Sequence, residues 1–189
     1  MSYLRGFLPW ITFAAVSTLG WQWGALAGLL AGLWLLVRDG RAGVAGNARI
    51  LETGTIVFFA ALTALAFAEP HSQLRPYVGT LSFTWLAVVA WGGLVLGRPF
   101  TLGIARSQAP AAVWEHPAFL RINRVLTGVW ALAFTLTAAA LAVCTVVHAG
   151  SFLPTACQVA GFALPAAFTA RYPKRAAAGL RGAARGADR

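Results

Sequence analysis

The chain has 189 residues, of which 59% are hydrophobic and 11% are charged. A soluble domain carries about 25% charged residues, so this composition excludes an ordinary soluble fold and predicts an integral membrane protein. In a soluble protein, a net charge of +10 would suggest nucleic-acid binding. In a membrane protein, basic loops that face anionic lipid explain the same charge, so we predict no nucleic-acid partner.

Segments without charged residues locate the predicted membrane spans. Four long segments contain no Asp, Glu, Lys or Arg, and they lie between Arg5 and Arg38, Glu52 and Glu69, Arg75 and Arg98, and Arg124 and Arg171. A helical span needs about 20 apolar residues, so the second and third segments fit one span each and the others fit a hairpin each. We therefore predict an all-α polytopic bundle of six spans, at roughly 6–20, 22–37, 50–68, 77–97, 123–148 and 152–170.

The two predicted hairpins turn at glycine, proline and tryptophan. Gly150 and Pro154 interrupt the last charge-free segment. In the first one, the sequence GWQWG at 20–24 combines glycines with two tryptophans, which prefer the membrane–water interface. The first two spans reach only about 22–24 Å, so a re-entrant hairpin stays open beside two full spans.

Basic residues fall almost entirely on one side of this topology. With the N-terminus inside, the outer loops carry Arg75 alone, and the positive-inside rule assigns both termini to the cytoplasm. Residues 171–189 contain Ala, Gly and basic residues with little else, so we predict a disordered basic cytoplasmic tail. The inner basic residues are Arg5, Arg38, Arg41, Arg49, Arg98, Arg106, Arg121, Arg124, Arg171, Lys174, Arg175, Arg181, Arg185 and Arg189.

Small residues at helical spacing predict close helix packing. Gly24, Gly28 and Gly32 recur every fourth residue in the second span, and Gly93 and Gly97 repeat the spacing in the fourth. Such ridges let two helix backbones approach closely in lipid. The partner is either a second copy in a homodimer or another helix of the same chain.

Ionisable groups are absent from the middle of every predicted span. This argues against a transporter with a buried carboxylate relay and against an intramembrane protease. Neither a nucleophile–base pair nor a ligand set is evident, so we predict no enzymatic activity, no cofactor and no metal. Glu52 opens the third span near Arg49; it is either an acid favoured at a helix N-terminus or a partner for an arginine of the next cytoplasmic loop.

The loop from 97 to 122 is the longest polar segment and begins GRPFTLGIAR. Pro99 suits the start of a helix, and the apolar residues between Arg98 and Arg106 predict an interfacial segment with its apolar side in lipid and its arginines at phosphates. Trp114 is a second anchor, and Asn123 opens the fifth span. The candidate lipid or partner contacts are Arg98, Pro99, Phe100, Arg106, Trp114, Arg121, Asn123, Arg124 and Glu52.

A second cluster lies where the fifth and sixth spans meet. Cys144 and His148 are four residues apart and share a helix face, and Cys157 follows the turn at a similar predicted depth. We predict unpaired packing residues, in line with the expectation of no metal, and keep two alternatives: a disulfide, or a metal site completed by Glu69 or His71.

The order of these features resembles the bacterial intracellular septation protein A (YciB) family. The resemblance rests on FLPWITFAAV at 7–16, the pair Arg98–Pro99 after the fourth span, Trp114 in the following loop, and Asn123 with Trp130 in the fifth span. It covers nearly the whole chain as a pattern of spans, whereas the alanine-rich sixth span and the Arg/Gly/Ala tail depart from it. The family implies a multi-pass inner-membrane protein for envelope upkeep and division, acting through other membrane proteins and without established catalytic residues.

Two further functions remain as alternatives to this non-enzymatic role. A small transporter or channel for an apolar or lipidic substrate predicts a midplane cavity lined by Trp85, Trp91 and Trp130. An enzyme acting on lipid headgroups predicts a cleft at the inner face where Glu52, Arg98 and Asn123 converge.

Overall fold

The computed structural model describes residues 6–41, 49–106 and 109–187. Arg5 and residues 188–189 of the predicted tail lie outside the described residues. The described part is helical, without strands, and short 3₁₀ turns at Ser17–Leu19, Arg75–Tyr77 and Ala111–Val113 interrupt its connections. Its α-helices are α1 (Leu8–Val16), α2 (Trp21–Arg41), α3 (Arg49–Ala68), α4 (Val78–Val95), α5 (Phe100–Arg106), α6 (Pro117–Val146) and α7 (Phe152–Ala187).

Four stretches of the described helices are long and apolar enough to cross a membrane. They are Leu51–Ala68, Arg75–Val95, Pro117–Val146 and Phe152–Pro173, and they coincide with the last four predicted spans. The first predicted span is the shorter apolar helix Leu8–Leu19. Helix α2 has 21 residues but is not among the four, because its Trp-Gln-Trp-Gly start and Arg38 lower its mean hydropathy.

Two helices extend beyond the predicted boundaries. Helix α6 begins at Pro117, with His116 as its N-cap residue, whose Nδ1 accepts a hydrogen bond from the backbone N–H of Ala118 at 3.2 Å. Proline suits the first helical turn, so the helix starts before 123, and Asn123 lies inside it and does not open it. Helix α7 passes 170 without a break and continues to Ala187, so residues 171–187 are helical where composition predicts a disordered tail.

The helices pack mainly with their neighbours in an antiparallel order. Helix α1 packs on α2, α2 on α3, α4 on α6, and α6 on α7, whereas α3 and α4 share a smaller contact. One end of the bundle carries the turns at 17–20, 69–77 and 147–151, and we call it the hairpin end. The opposite end carries residues 96–116, and we call it the connector end.

The short helix α1 joins the two halves of the bundle through aromatic side chains. Phe7 stacks on Trp130 of α6, with ring centroids 4.9 Å apart, and lies 5.1 Å from the ring of Phe162 in α7. Trp10 packs on Phe59 of α3 at 4.8 Å. Because α3 and α4 touch only sparingly, these buried rings supply much of the contact between the α2–α3 pair and the other helices.

Tryptophan indoles fasten neighbouring elements by hydrogen bonds. An indole N–H can only donate a hydrogen bond, and within a membrane an N–H without an acceptor is costly. Each of these bonds therefore removes an unpaired polar group. The pairs are Trp10 to Thr55 Oγ1 (3.3 Å), Trp21 to the carbonyl of Pro70 (3.0 Å), Trp85 to the carbonyl of Gly54 (2.8 Å), Trp91 to Thr135 Oγ1 (3.2 Å) and Trp130 to Thr169 Oγ1 (2.9 Å).

The glycine ridge of α2 faces other helices of the same chain. A Cβ on Gly24 would clash with Ser17 just beyond α1, one on Gly28 would lie 2.7 Å from the ring of Phe59, and one on Gly32 would lie 3.2 Å from Ile56. The ridge therefore lets α1 and α3 approach α2 closely, which is the intrachain alternative for this pattern.

Candidate functional site at the connector end

The connector begins with a sharp turn after α4. Gly97 has φ +67°, a conformation that L side chains rarely adopt, and no atom lies within 4 Å of the position of a Cβ there. Gly97 is therefore a turn residue and not the helix-packing residue that its spacing predicts. Gly93 does pack: the backbone N–H of Arg98 donates to its carbonyl at 2.7 Å, and a Cβ on Gly93 would lie 3.0 Å from the carbonyl oxygen of Arg98.

Helix α5 is buried within the bundle. Phe100, Thr101 and Leu102 are 2%, 0% and 5% exposed, and Pro99 is buried before them. The ring of Phe100 meets Trp130 edge-on at 6.4 Å. The prediction of an interfacial segment is thus wrong in one respect, since the apolar side of this segment packs on α6 and α3 and does not lie in lipid. The reason is the turn at Gly97, which directs the chain back onto α6.

Two threonine hydroxyls hold α5 to α6. Thr101 Oγ1 donates to the carbonyl of Asn123 at 2.9 Å and shares a second hydrogen bond with Thr127 Oγ1 at 2.8 Å. Asn123 is buried, and its Nδ2 donates to the carbonyl of Phe119 at 2.9 Å. Its Oδ1 is buried without a hydrogen-bond partner among the described residues. Asn123 therefore belongs to the joint between α5 and α6 and not to an exposed contact surface.

Arg106 closes the helix with a cluster of its own. Its guanidinium lies 5.5 Å from the ring centroid of Trp114 and donates from Nη2 to Glu115 Oε1 at 3.2 Å. The Trp114 indole donates to the carbonyl of Ala109 at 3.0 Å. Glu115 is 86% exposed at its side chain and Arg106 17%, so stacking and burial contribute more to the position of Arg106 than the ion pair does.

The other predicted contact residues divide by exposure. Arg98, Arg121 and Arg124 are exposed, and Glu52 is half-buried in the first turn of α3. The structure therefore places Arg106 beside Trp114, and Phe100 beside the contact between α5 and α6 around Asn123. The three arginines Arg98, Arg121 and Arg124 are exposed at the surface of the bundle. Exposed guanidinium groups on a fixed platform can bind phosphate or carboxylate groups bidentately.

Thr101 is the residue that the sequence reasoning missed. It is fully buried and makes both hydrogen bonds that join α5 to α6. Its only signal in the sequence is a hydroxyl within PFTLG, and a Thr hydroxyl in an apolar helix most often bonds its own backbone. The pairing with α6 depends on the turn at Gly97, which sequence spacing does not reveal.

The cysteine cluster lies at the hairpin end. Cys144 is buried, Cys157 is half-buried, and both are free thiols that lie close enough together to interact electrostatically. Among the described residues, no three His, Cys, Asp or Glu side chains lie close enough together to hold a metal ion. The three tryptophans predicted to line a transport cavity have different contacts: the indoles of Trp85 and Trp91 donate to residues of α3 and α6, whereas Trp130 borders a cavity between α1, α4, α6 and α7.

Comparison of the chain with protein-family models, with curated proteins and with solved structures finds no match. The resemblance to the septation family therefore stays a prediction from the sequence pattern.

Proposed function

We propose that the chain is a six-span, non-enzymatic protein of the bacterial inner membrane, with both termini in the cytoplasm. Its role is to support envelope maintenance or septation by contacting anionic lipid and other membrane or division proteins at the connector end. No cofactor takes part in this role.

The topology rests on charge and on the α1–α2 hairpin. The four long apolar stretches account for four spans. We infer that α1 and α2 add two more, since Gly20 has φ +146° between them and the Trp21 indole bonds Pro70 in the loop at the same end of the bundle. With six spans, the exposed arginines at the connector end face the cytoplasm, as the positive-inside rule requires.

The observation that carries the functional proposal is the anchored connector. Its apolar residues and Thr101 are used for packing against α6, so the loop is held in place while Arg98, Arg121 and Arg124 remain exposed. A fixed basic surface next to the bilayer favours phosphate-bearing lipid heads and acidic segments of partner proteins. The transporter alternative is less well supported, because the indoles of Trp85 and Trp91 are occupied by helix–helix hydrogen bonds.

Reporter fusions test the topology. A periplasm-active reporter inserted at 71–75 is expected to be active, and the same reporter after residue 189 is expected to be inactive. Activity at both positions, or at neither, would contradict six spans with both termini inside.

Complementation tests the functional proposal. In cells lacking the gene, we expect envelope or division defects that the wild-type chain restores. The triple variant R98Q/R121Q/R124Q should express at wild-type levels, fail to restore them, and recover less anionic lipid and fewer division proteins in pull-downs from native membranes. R75Q, at the hairpin end, is the matched control and should behave as wild type. A triple variant that complements fully would contradict the role of the connector.

A further inference from the structure

Two neighbouring cavities lie away from the connector and have different linings. The first, of about 420 Å³, lies at the hairpin end and is bordered by Thr80, Cys144, His148 and Gln158 among others. The second, of about 480 Å³, lies between α1, α4, α6 and α7 and has a mostly apolar lining. Gly79 and Gln158 border both cavities, so the two are adjacent. We call the first the polar cavity, because its lining is the more polar of the two.

The apolar cavity is a lateral groove with an aromatic floor. Helices α1 and α7 touch at Phe7 and Phe162, and the groove separates them on the side of Ile11 and Val159. Its floor contains the buried Phe83 and Trp130. Its rim residues Ile11 and Val159 are 52% and 61% exposed, so in a membrane the groove opens sideways towards the acyl chains.

Two hydroxyls at these cavities have no partner among the described residues. Ser82 is 5% exposed and borders the groove, and Thr80 borders the polar cavity; the Oγ atom of each is buried without a hydrogen bond. An unpaired polar atom surrounded by apolar material is costly. Both oxygens lie behind the cavity walls, so the polar side chains that can meet a ligand are those of Gln158 and His148.

The polar cavity also contains a residue in an uncommon conformation. His148 follows α6 with φ +52°, the left-handed region that helices usually assign to glycine at this position. Non-glycine residues in this region concentrate at functional sites. The conformation ends α6 beside the cavity, where His148 and the amide of Gln158 offer both donors and acceptors.

The charge of the lining restricts the ligand. The described residues around both cavities include no Asp, Glu, Lys or Arg. A charged head group would therefore lie in a low-dielectric site without a counter-ion, which is unfavourable. An uncharged, hydrogen-bonding head complements the polar cavity, and a hydrocarbon chain complements the aromatic groove.

We propose that the two cavities form one binding site for a single-chain lipid with an uncharged polar head, such as a monoacylglycerol. The head hydrogen-bonds in the cavity at Gln158 and His148, and the chain lies in the groove between α1 and α7. Small-molecule sites are typically a few hundred Å³ or more in volume, with apolar walls and a few polar groups, and the two cavities together have this size and lining. The proposal is independent of the connector and of the orientation of the chain in the membrane.

Photo-crosslinking in phosphatidylcholine vesicles tests the site. The probe is a monoacylglycerol with a diazirine in the middle of its chain and a terminal alkyne, and labelled peptides are mapped by mass spectrometry. We expect labelling to concentrate in 7–14 and 155–166. Ala163→Trp, which fills the groove, should reduce this labelling about tenfold, which corresponds to a loss of about 1.4 kcal/mol of binding free energy. Leu164→Trp, at an exposed neighbouring position outside the groove, is the matched control and should keep wild-type labelling.

Further variants separate binding from misfolding and head recognition from chain recognition. Ala14→Phe fills the groove from α1 and should repeat the loss, while the thermal unfolding of each variant is compared with that of Leu164→Trp. Gln158→Leu should abolish the preference for the monoacylglycerol over an alkyl diazirine without a head. The proposal is overturned if labelling is even along all lipid-facing helices, or if it is unchanged in both filled variants. Disulfide-linked dimers of Ile11→Cys in the membrane would also overturn it, because they would place a second copy of the chain in the groove.

Discussion

The indole N–H of Trp130 donates to Thr169 Oγ1 at 2.9 Å, and both residues are buried. This bond joins the centre of α6 to α7 beneath the ring of Phe7, which stacks on the same indole. Trp130 thus connects three helices at once, and its substitution should affect the packing of all of them.

A double-mutant cycle measures this bond directly. We expect Trp130→Phe and Thr169→Val to be coupled by between about 0.6 kcal/mol, the average for hydrogen bonds between membrane helices, and about 1.7 kcal/mol, the largest such value. The measurement is the free energy of unfolding in detergent micelles for the two single variants and the double variant. Trp91 and Thr135, whose 3.2 Å bond is exposed, form the comparison pair and should couple more weakly. Equal coupling in both cycles would contradict a special role for the buried pair.

Substitution of Gly28 tests the glycine ridge. A Cβ at this position would lie 2.7 Å from the ring of the fully buried Phe59, so Gly28→Ala should destabilise the protein by about 1–3 kcal/mol through overpacking. Gly128→Ala, also in a helix but with nothing within 4 Å of the new Cβ, should be neutral or stabilise by up to about 1 kcal/mol. Unfolding in micelles gives both values. If Gly28→Ala instead dissociates a dimer without altering monomer stability, the ridge is an interface between copies.

Removal of one hydroxyl tests the anchored connector. Thr101→Val deletes the group that bonds both the carbonyl of Asn123 and the hydroxyl of Thr127, and should cost about 1–3 kcal/mol because it leaves buried polar atoms unpaired. Thr101→Ser keeps the hydroxyl and should recover most of this loss. Thr84→Val, at an exposed position of α4, is the control and should change stability little. Sensitivity to trypsin at Arg106 provides a local readout, and no increase in Thr101→Val would argue against anchoring.

The ion pair at Arg106 should contribute little to stability. Because Glu115 is 86% exposed, Glu115→Gln should change the free energy of unfolding by less than about 1 kcal/mol. Arg106→Ala should have a larger effect, since it also removes the guanidinium stacked near Trp114. The fluorescence of Trp114, obtained as the difference between the spectra with and without Trp114→Phe, reports on this environment. The reverse order of the two effects would show that charge dominates the cluster.

Oxidation should link the two cysteines within one chain. The thiols of Cys144 and Cys157 are free and lie close together, so transfer of two electrons and two protons to a diamide oxidant should form an intramolecular disulfide. Alkylation followed by mass spectrometry of the intact chain detects the loss of both free thiols. Cys144→Ser should leave Cys157 reactive under the same conditions. Failure of the wild type to lose its thiols would contradict the proximity of the two side chains.

Much of the helix layout follows from local sequence. Charge-free segments fix where long apolar helices begin and end, because a charged side chain within lipid is too costly to place there. The predicted spans 50–68, 77–97 and 152–170 begin within a few residues of α3, α4 and α7. Pro99 likewise predicts the short helix α5, since proline favours the first turn. The boundaries of α6 and α7 differ because capping by His116 and the continuous helix beyond 170 are not encoded in hydropathy.

The sequence by itself determined the class of protein, the apolar helices and the concentration of basic residues near particular loops, since each depends on composition or on neighbouring residues. Only the tertiary structure decided what the connector touches. The apolar residues of PFTLG suit lipid and protein equally well, and the left-handed turn at Gly97 brings them onto α6. The same holds for the groove beside Phe7 and Phe162: its shape depends on how α1 and α7 diverge after one aromatic contact, a long-range relation that no local pattern specifies.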